Sequence, residues 1–143
     1  MNENNNLDRR FNVVLLIRHP DIDPEQISRE LSIEPYSAFK NGDVRTLPNG
    51  NVLPGLATQS SWNHVYRYSG GHELDEAVEC VIRLLEDHRA FILRLFLQGG
   101  SCQVYLQLPG DVNVGAALPW QLLDRMSNLR VELGLEVFPN LAR

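Results

Sequence analysis

The chain has 143 residues and a formal net charge of −5. Its 43% hydrophobic and 22% charged residues are typical of a globular protein, and a chain of this length can bury a full core without disulfides or metals. Nucleic-acid binding is disfavoured, because that affinity depends on clustered cations. A membrane protein is disfavoured too, because the longest uncharged apolar run, Val13 to Ile17, is too short to cross a bilayer.

Residues 1–10 are polar and rich in asparagine, and they lack the apolar core of a signal peptide. We expect them to be disordered or frayed, and we expect residues 11–143 to form a single domain. Cys80 and Cys102 belong to no C-x-x-C motif and are predicted to be reduced, buried thiols, with a disulfide between them as the alternative. These features favour a cytoplasmic protein.

The first strand and the first helix have clear local signals. Apolar residues on both faces of Phe11 to Arg18 predict a strand inside a sheet. Asp23 can cap a following helix, and Pro24 suits its first position. The helix is short, because Pro35 forces Glu34 into an extended conformation.

A long connection runs from Leu31 to Trp62. Connections of this length are uncommon in a compact domain unless they have a function. Within it, the Asn49-Gly50 pair lies between apolar residues and favours a two-residue hairpin turn, which predicts a small β-flap. This connection is therefore the first region in which to look for a binding site.

From Trp62 onward, strand periods alternate with helical periods. The segment Phe91 to Leu97 is apolar enough either to continue the long helix or to form a strand. The predicted elements are a strand from Trp62 to Tyr68, a helix from Glu73, a strand from Cys102 to Leu108, a strand from Val112 to Leu118, a helix from Pro119 and a strand from Val131 to Phe138.

This order is the split βαβ arrangement of ferredoxin-like domains. We therefore predict an α+β domain, in which a mostly antiparallel sheet of about five strands has helices on one face. An extra strand and helix precede the ferredoxin-like βαββαβ portion. The other face of the sheet is expected to be partly open.

Several short motifs run along the chain: His19-Pro20, Asp23-Pro24-Glu25, Leu31-Ser32-Ile33-Glu34-Pro35, Lys40-Asn41-Gly42-Asp43 with Arg45, Trp62, and the closing helix and strand from Leu122 to Phe138. Together they resemble those of a bacterial family called domain of unknown function 4279. The chain departs from the family pattern at Tyr36, Asn41 and Leu118. The resemblance covers nearly the whole chain and implies the same fold, but it implies no activity, because none is established for the family.

The sequence shows no catalytic or metal-binding pattern. Its four histidines match neither H-x-H nor H-E-x-x-H, and we interpret them as surface or capping residues. Asp21, Asp23 and Glu25 could hold a divalent cation, but helix capping explains Asp23 more simply. No glycine-rich phosphate loop is present. We therefore predict no cofactor and no metal, and the sequence favours a protein that is not an enzyme.

Two surfaces remain as candidates. The first belongs to the long connection, where aromatic rings and cations lie close together in sequence. Either Phe39 and Trp62 pin the connection onto the edge of the sheet, or the same rings form a pocket in which Lys40 or Arg45 fixes an anion. The candidate pocket residues are Tyr36, Phe39, Lys40, Asp43, Arg45 and Trp62.

The second candidate is the open sheet face, which also carries Gln103. This face is either ordinary solvated surface or a surface for a partner or a dimer. The predicted partner-face residues are Tyr105, Gln107, Glu132 and Glu136.

The leading hypothesis is a small non-catalytic protein-interaction module, whose acidic surface suits docking to a basic protein partner. A toxin-neutralising immunity protein is one specific form of such a module. The alternative is a small-molecule-binding domain, or an enzyme, that uses the Leu31–Trp62 connection as a pocket. The sequence does not determine the oligomeric state.

Overall fold

The computed structural model describes residues 10–111 and 114–139. The N-terminal segment that was predicted to be frayed, residues 1–10, lies outside these ranges except for Arg10. The strands are β1 (Phe11–His19), β2 (Ser37–Phe39), β3 (Val44–Thr46), β4 (Val52–Leu56), β5 (Ser60–Tyr68), β6 (Ser101–Pro109) and β7 (Val131–Phe138). The helices are α1 (Pro24–Leu31), α2 (Leu74–Asp87), α3 (Arg89–Leu97) and α4 (Trp120–Asn128).

Five of the strands form one sheet in the order β2-β5-β1-β6-β7, and β3 pairs with β4 in a separate hairpin. All neighbours in the large sheet are antiparallel except β6 and β7, which are parallel and are connected through α4. The predicted α+β class with a mostly antiparallel five-stranded sheet is therefore confirmed. Among the described residues, no helix is long and apolar enough to cross a membrane.

The core lies on one face of this sheet. Alternation along β1 places Val13, Leu15 and Ile17 on the same face, and the strand register adds Trp62 from β5 and Val104 from β6. These side chains pack in one cluster with the buried residues of all four helices. The helices therefore cover a single face of the sheet, as predicted, and the opposite face carries none of them.

The elements after β5 differ in detail from the prediction. The ambiguous segment Phe91 to Leu97 is helical and belongs to α3, which begins directly after a break at His88. A strand was predicted over Val112 to Leu118. This prediction is wrong for residues 114–118, which form no strand, and residues 112–113 lie outside the described residues. Because β6 is already paired with β1 and β7, it has no free edge for a returning strand. The predicted βαββαβ portion is realised as βααβαβ.

The predicted flap is present as the β3–β4 hairpin, but its turn has three residues instead of two. Leu47 and Asn51 close the loop through a backbone hydrogen bond of 2.7 Å, and Gly50 has a positive φ of 89°. Asn49 keeps a negative φ, whereas the two-residue turn would require a positive one. Pro48, which fits the second position of a type I turn, explains the longer form.

The two cysteines are both free, and they differ in exposure. Cys102 is buried beneath the helices, as predicted, whereas the prediction of burial is wrong for Cys80, which is exposed. The buried stripe of α2 passes through Ala77, Val78 and Val81, and Cys80 lies outside it.

Candidate functional site

The pocket predicted from the long connection is not assembled. Trp62 has no exposed surface, and its Nε1–H donates a hydrogen bond of 2.9 Å to Ser28 Oγ beneath α1. In β2, Ala38 is the residue that pairs with Trp62, so the next residue, Phe39, lies on the opposite face of the sheet. The two rings therefore do not share a pocket, nor do they pin the connection together.

The polar residues of the connection bind to the connection itself. The carboxylate of Asp43 accepts a hydrogen bond of 2.9 Å from the backbone N–H of Lys40, which closes that turn. The guanidinium of Arg45 donates to the carbonyl oxygen of Pro54 across the hairpin. The ring of Tyr36 lies 5.5 Å from the guanidinium carbon of Arg67 on β5. These contacts stabilise the connection. Arg45 Nε is buried and has no hydrogen-bond partner among the described residues.

His19 is a buried structural residue. Its Nδ1 accepts hydrogen bonds from the backbone N–H groups of Asp21 (3.1 Å) and Ile22 (2.9 Å). An Nδ1 that accepts leaves the proton on Nε2, which donates to Gln98 Oε1 at 2.8 Å. The ring therefore ties the end of β1 to the residue that follows α3. The prediction of a surface or capping residue is wrong for His19, which is buried and accepts from N–H groups that precede the Asp23 cap of α1.

The other candidate ligands also have local partners. The carboxylate of Asp23 accepts a hydrogen bond of 3.1 Å from the backbone N–H of Glu25, as predicted for the cap of α1. The ring of His64 donates from Nδ1 to the carbonyl oxygen of Glu34 at 2.9 Å. Within 10–111 and 114–139, no group of three or more His, Cys, Asp or Glu side chains could hold a metal ion.

The sheet face opposite the helices, which we call the open face, carries all four predicted partner-face residues. The strand register aligns side chains of β5, β1, β6 and β7 in rows across this face. The middle row is Val65, Val14, Tyr105 and Gly134; one flanking row is Asn63, Leu16, Gln103 and Glu132; the other is Arg67, Asn12, Gln107 and Glu136.

This arrangement gives the open face an apolar centre and a polar surround. Apolar side chains from three strands meet in the middle, and amide side chains flank them. Charge changes sign across the face, from the exposed Arg67 on β5 to Glu132 and Glu136 on β7. An apolar centre with a polar rim is the usual composition of a protein–protein interface.

The amides of the open face are only partly satisfied. Asn12 donates to Gln107 at 2.9 Å, and Gln103 donates to Glu132 at 3.4 Å. The side-chain oxygens of Asn63 and Gln103 are buried, and neither has a hydrogen-bond partner among the described residues. Both flank Leu16, one on each neighbouring strand. A buried acceptor without a donor is costly, so these two groups need an explanation.

Tyr105 lies over the backbone of β7. Gly134 is its cross-strand neighbour, and a Cβ atom at that position would overlap the tyrosine ring. Sequence reasoning found Tyr105 but missed Gly134, Asn12 and Asn63. A glycine inside an alternating strand was the available signal, because it marks a close approach of another group. The amides could not be assigned to this face without the strand order.

Outside the open face, the strongest electrostatic contacts are structural. Arg125 on α4 contacts Glu79 and Glu86 on α2, at 2.6 Å in each case. These hydrogen bonds lower the pKa of both carboxyl groups and raise the pKa of the Arg125 guanidinium. Burial raises the pKa of the Cys102 thiol to about 12, so this thiol is not a ready nucleophile.

Comparison with known proteins gives one match. The family model described as Domain of unknown function (DUF4279) matches residues 9–138, which is most of the chain. No curated protein and no solved structure is significantly similar to it.

Proposed function

The chain belongs to the DUF4279 family, whose description assigns no function, and from its surfaces we propose that it is a non-catalytic protein-interaction module that binds a basic protein through the open face. The single observation that carries this proposal is the face of the central sheet that none of the four helices covers, with its apolar centre and amide surround. On an ordinary solvated sheet face the outward-pointing side chains are mostly charged or hydroxylated. Here Val14 and Val65 occupy the middle row, and Leu16 lies in the row beside them.

The partnerless acceptors support a polar, hydrogen-bonding occupant. The side-chain oxygens of Asn63 and Gln103 lack donors, and each such group costs roughly 1–3 kcal/mol when it stays unpaired. Arginine, lysine or backbone N–H groups of a partner would supply donors once either amide rotates toward the surface. Amide and tyrosine side chains suit such adaptable recognition.

Charge supports a basic partner. Glu132 and Glu136 line the β7 side of the open face, and the whole chain has a net charge of −5. Opposite charge on a partner would speed the encounter and orient it. A toxin-neutralising immunity protein is a specific form of this function, and a toxin gene beside the gene for this chain would favour it.

The rival function, a small-molecule or enzymatic pocket in the long connection, loses its geometric support. Two of its three candidate rings, Phe39 and Trp62, lie on opposite faces of the sheet, and Trp62 has no exposed surface. Of the cations of that connection, Arg45 bonds to the carbonyl oxygen of Pro54 in the hairpin.

Capture from a lysate of the source cells tests the proposal. The test variant is Glu132→Arg/Glu136→Arg, and the matched control is Glu76→Arg/Asp87→Arg, which changes the net charge equally on α2. Native mass spectrometry of the wild type and the control should show a stoichiometric basic protein, and the test variant should retain at least tenfold less of it. Equal thermal melting curves would exclude misfolding.

Two outcomes would contradict the proposal. In the first, the test variant retains the protein partner as well as the control does. In the second, the wild type carries only a small molecule, which would restore the pocket as the functional site.

A further inference from the structure

β7 lies at one edge of the sheet, and its outer side has the features of a strand that pairs with another strand. It is eight residues long, its register with β6 is unbroken, and it contains neither proline nor lysine. No described residue pairs with its outer edge. The opposite edge of the sheet is formed by β2, which has only three residues. Natural proteins protect sheet edges by shortening, bulges, proline or charged side chains, above all lysine. β7 is long and unbroken, and its only charged residues are Glu132 and Glu136, which point to the open face.

The helix-side face of β7 is also uncovered along most of its length. Val131 is buried beside α4, but Leu133, Leu135 and Val137 are exposed by 40%, 65% and 65%. An open apolar groove beside the strand extends this surface, and Leu123 and Met126 of α4 line it together with Leu133. The strand therefore presents unpaired backbone groups and apolar side chains on the same side of the molecule.

We propose that β7 pairs in antiparallel fashion with β7 of a second copy of this chain, about a twofold axis through Leu135, so that the two sheets form one sheet of ten strands. This inference goes beyond the proposed function, because it uses the outer edge and the helix-side face of β7 instead of the open face.

Charge selects the register. In two antiparallel strands, residues directly opposite each other point to the same face of the sheet. A twofold axis must therefore place some residue opposite its own counterpart, and only a few registers do so. An axis at Gly134 places Glu132 opposite Glu136 of the second copy. An axis at Glu136 places Glu136 of one copy opposite Glu136 of the other. Both place like charges directly opposite each other, which is unfavourable.

Apolar coverage decides between the axes at Leu133 and Leu135, because an axis at Glu132 places that residue opposite itself and an axis at Val137 pairs only residues 136–138 of the strand. An axis at Leu133 leaves Val137 beyond the paired strands. An axis at Leu135 places that residue in the centre of the contact and Leu133 opposite Val137 of the second copy. Leu135 is as exposed as Val137. Val137 then lies at the mouth of the groove that Leu133 lines. Of these two axes, only the one at Leu135 covers all three exposed side chains.

The size of the contact predicts a weak dimer. A fully exposed leucine or valine side chain offers roughly 100 Å² of apolar surface, so these three contribute roughly 170 Å² per copy. Pairing of seven residues adds about six to eight backbone hydrogen bonds. This area lies below that of permanent dimers, so we expect a dissociation constant of about 1–100 µM. Because four glutamates approach the axis on the open face, added salt should strengthen the dimer.

Sedimentation velocity between about 5 and 500 µM tests the association. The wild type should shift from monomer to dimer as the concentration rises. Leu135→Lys places two ammonium groups on the axis and should weaken dimerisation at least thirtyfold. The control is Val52→Lys on β4, where the replaced side chain is equally exposed at 64%, and it should dimerise like the wild type. A wild type that stays monomeric, or a Leu135→Lys variant that dimerises normally, would overturn the proposal.

Disulfide trapping tests the register. In a Cys80→Ser background, Leu135→Cys places two thiols on the axis, within the separation that a disulfide requires, and oxidation should give a covalent dimer. Leu133→Cys lies four positions away from its own counterpart, roughly 13 Å along the strand, and should give none. Crosslinking of Leu133→Cys instead would overturn the register. Capture of a basic protein by the Leu135→Lys variant should be unchanged, so failure of this proposal is distinguishable from failure of the proposed function.

Discussion

At the scale of single residues, Gly134 determines how Tyr105 lies on the open face. The ring occupies the space where a Cβ atom at Gly134 would be. Gly134 has no positive φ, so the backbone itself would accept alanine. Removal of this glycine therefore tests the packing of the ring and not the conformation of the strand.

Gly134→Ala should destabilise the fold by about 1–3 kcal/mol in urea unfolding, because the methyl group overlaps the ring. The control is Gly115→Ala, where no described atom beyond the chain neighbours lies within 4 Å of the added Cβ and the expected change is neutral or slightly stabilising. Gly134→Ala combined with Tyr105→Ala should recover part of the loss. A Gly134→Ala variant that is as stable as the Gly115→Ala variant would show that the ring does not pack over β7.

The two thiols should differ sharply in reactivity. Cys80 is exposed, whereas burial raises the pKa of Cys102 to about 12. Because the thiolate is the reactive form, a disulfide reagent at pH 8 should modify one thiol per chain rapidly and the second only after denaturant is added. Cys80→Ser should remove the rapid phase. Two rapid phases in the folded wild type would contradict the buried position of Cys102.

At the scale of elements, Arg125 links α2 to α4. It bonds to both Glu79 and Glu86, and it lowers the pKa of both carboxyl groups below the usual value of 4.5. The folded chain therefore binds these two protons more weakly than the unfolded chain does. The resulting stability is complete above about pH 4.5 and is lost as the pH falls through the lowered pKa values.

Arg125→Gln should lower the free energy of unfolding by about 1 kcal/mol at pH 7, since the network is partly exposed. The difference from the wild type should shrink toward zero below about pH 3, because the carboxyl groups are then protonated in both proteins. Arg83→Gln is the control: it removes only an exposed pair with Glu79 and should cost less than about 0.5 kcal/mol. A difference that persists unchanged at pH 3 would rule out an electrostatic link.

Elements with local signals could be predicted from the sequence. The apolar run of β1, the Asp23 cap of α1 and the glycine of the β3–β4 turn each act within a few residues. The helix α3 could not be distinguished from a strand, because its apolar residues show no clear period. Residues 114–118, where a strand was expected after Pro109-Gly110, form none, because β7 occupies the edge of β6, and only the strand order shows this.

At the scale of the whole molecule, strand order decides where the candidate site lies. Alternation in β6 and β7 was enough to predict that Tyr105, Gln107, Glu132 and Glu136 share a face. It could not show that β1 and β5 contribute Asn12 and Asn63 to the same face, nor that Trp62 faces the helices. Those placements depend on contacts between residues far apart in the sequence.

The side-chain amides allow a direct measurement of binding at the open face. The ¹⁵N-labelled chain would be titrated with the captured basic protein, and its side-chain amide signals would be followed by NMR. We predict that the largest shifts occur at Asn63 and Gln103, whereas Gln26 on α1 and Asn51 in the hairpin stay unchanged. Shifts at Asn51 without shifts at Asn63 or Gln103 would contradict the assignment of the open face as the binding surface.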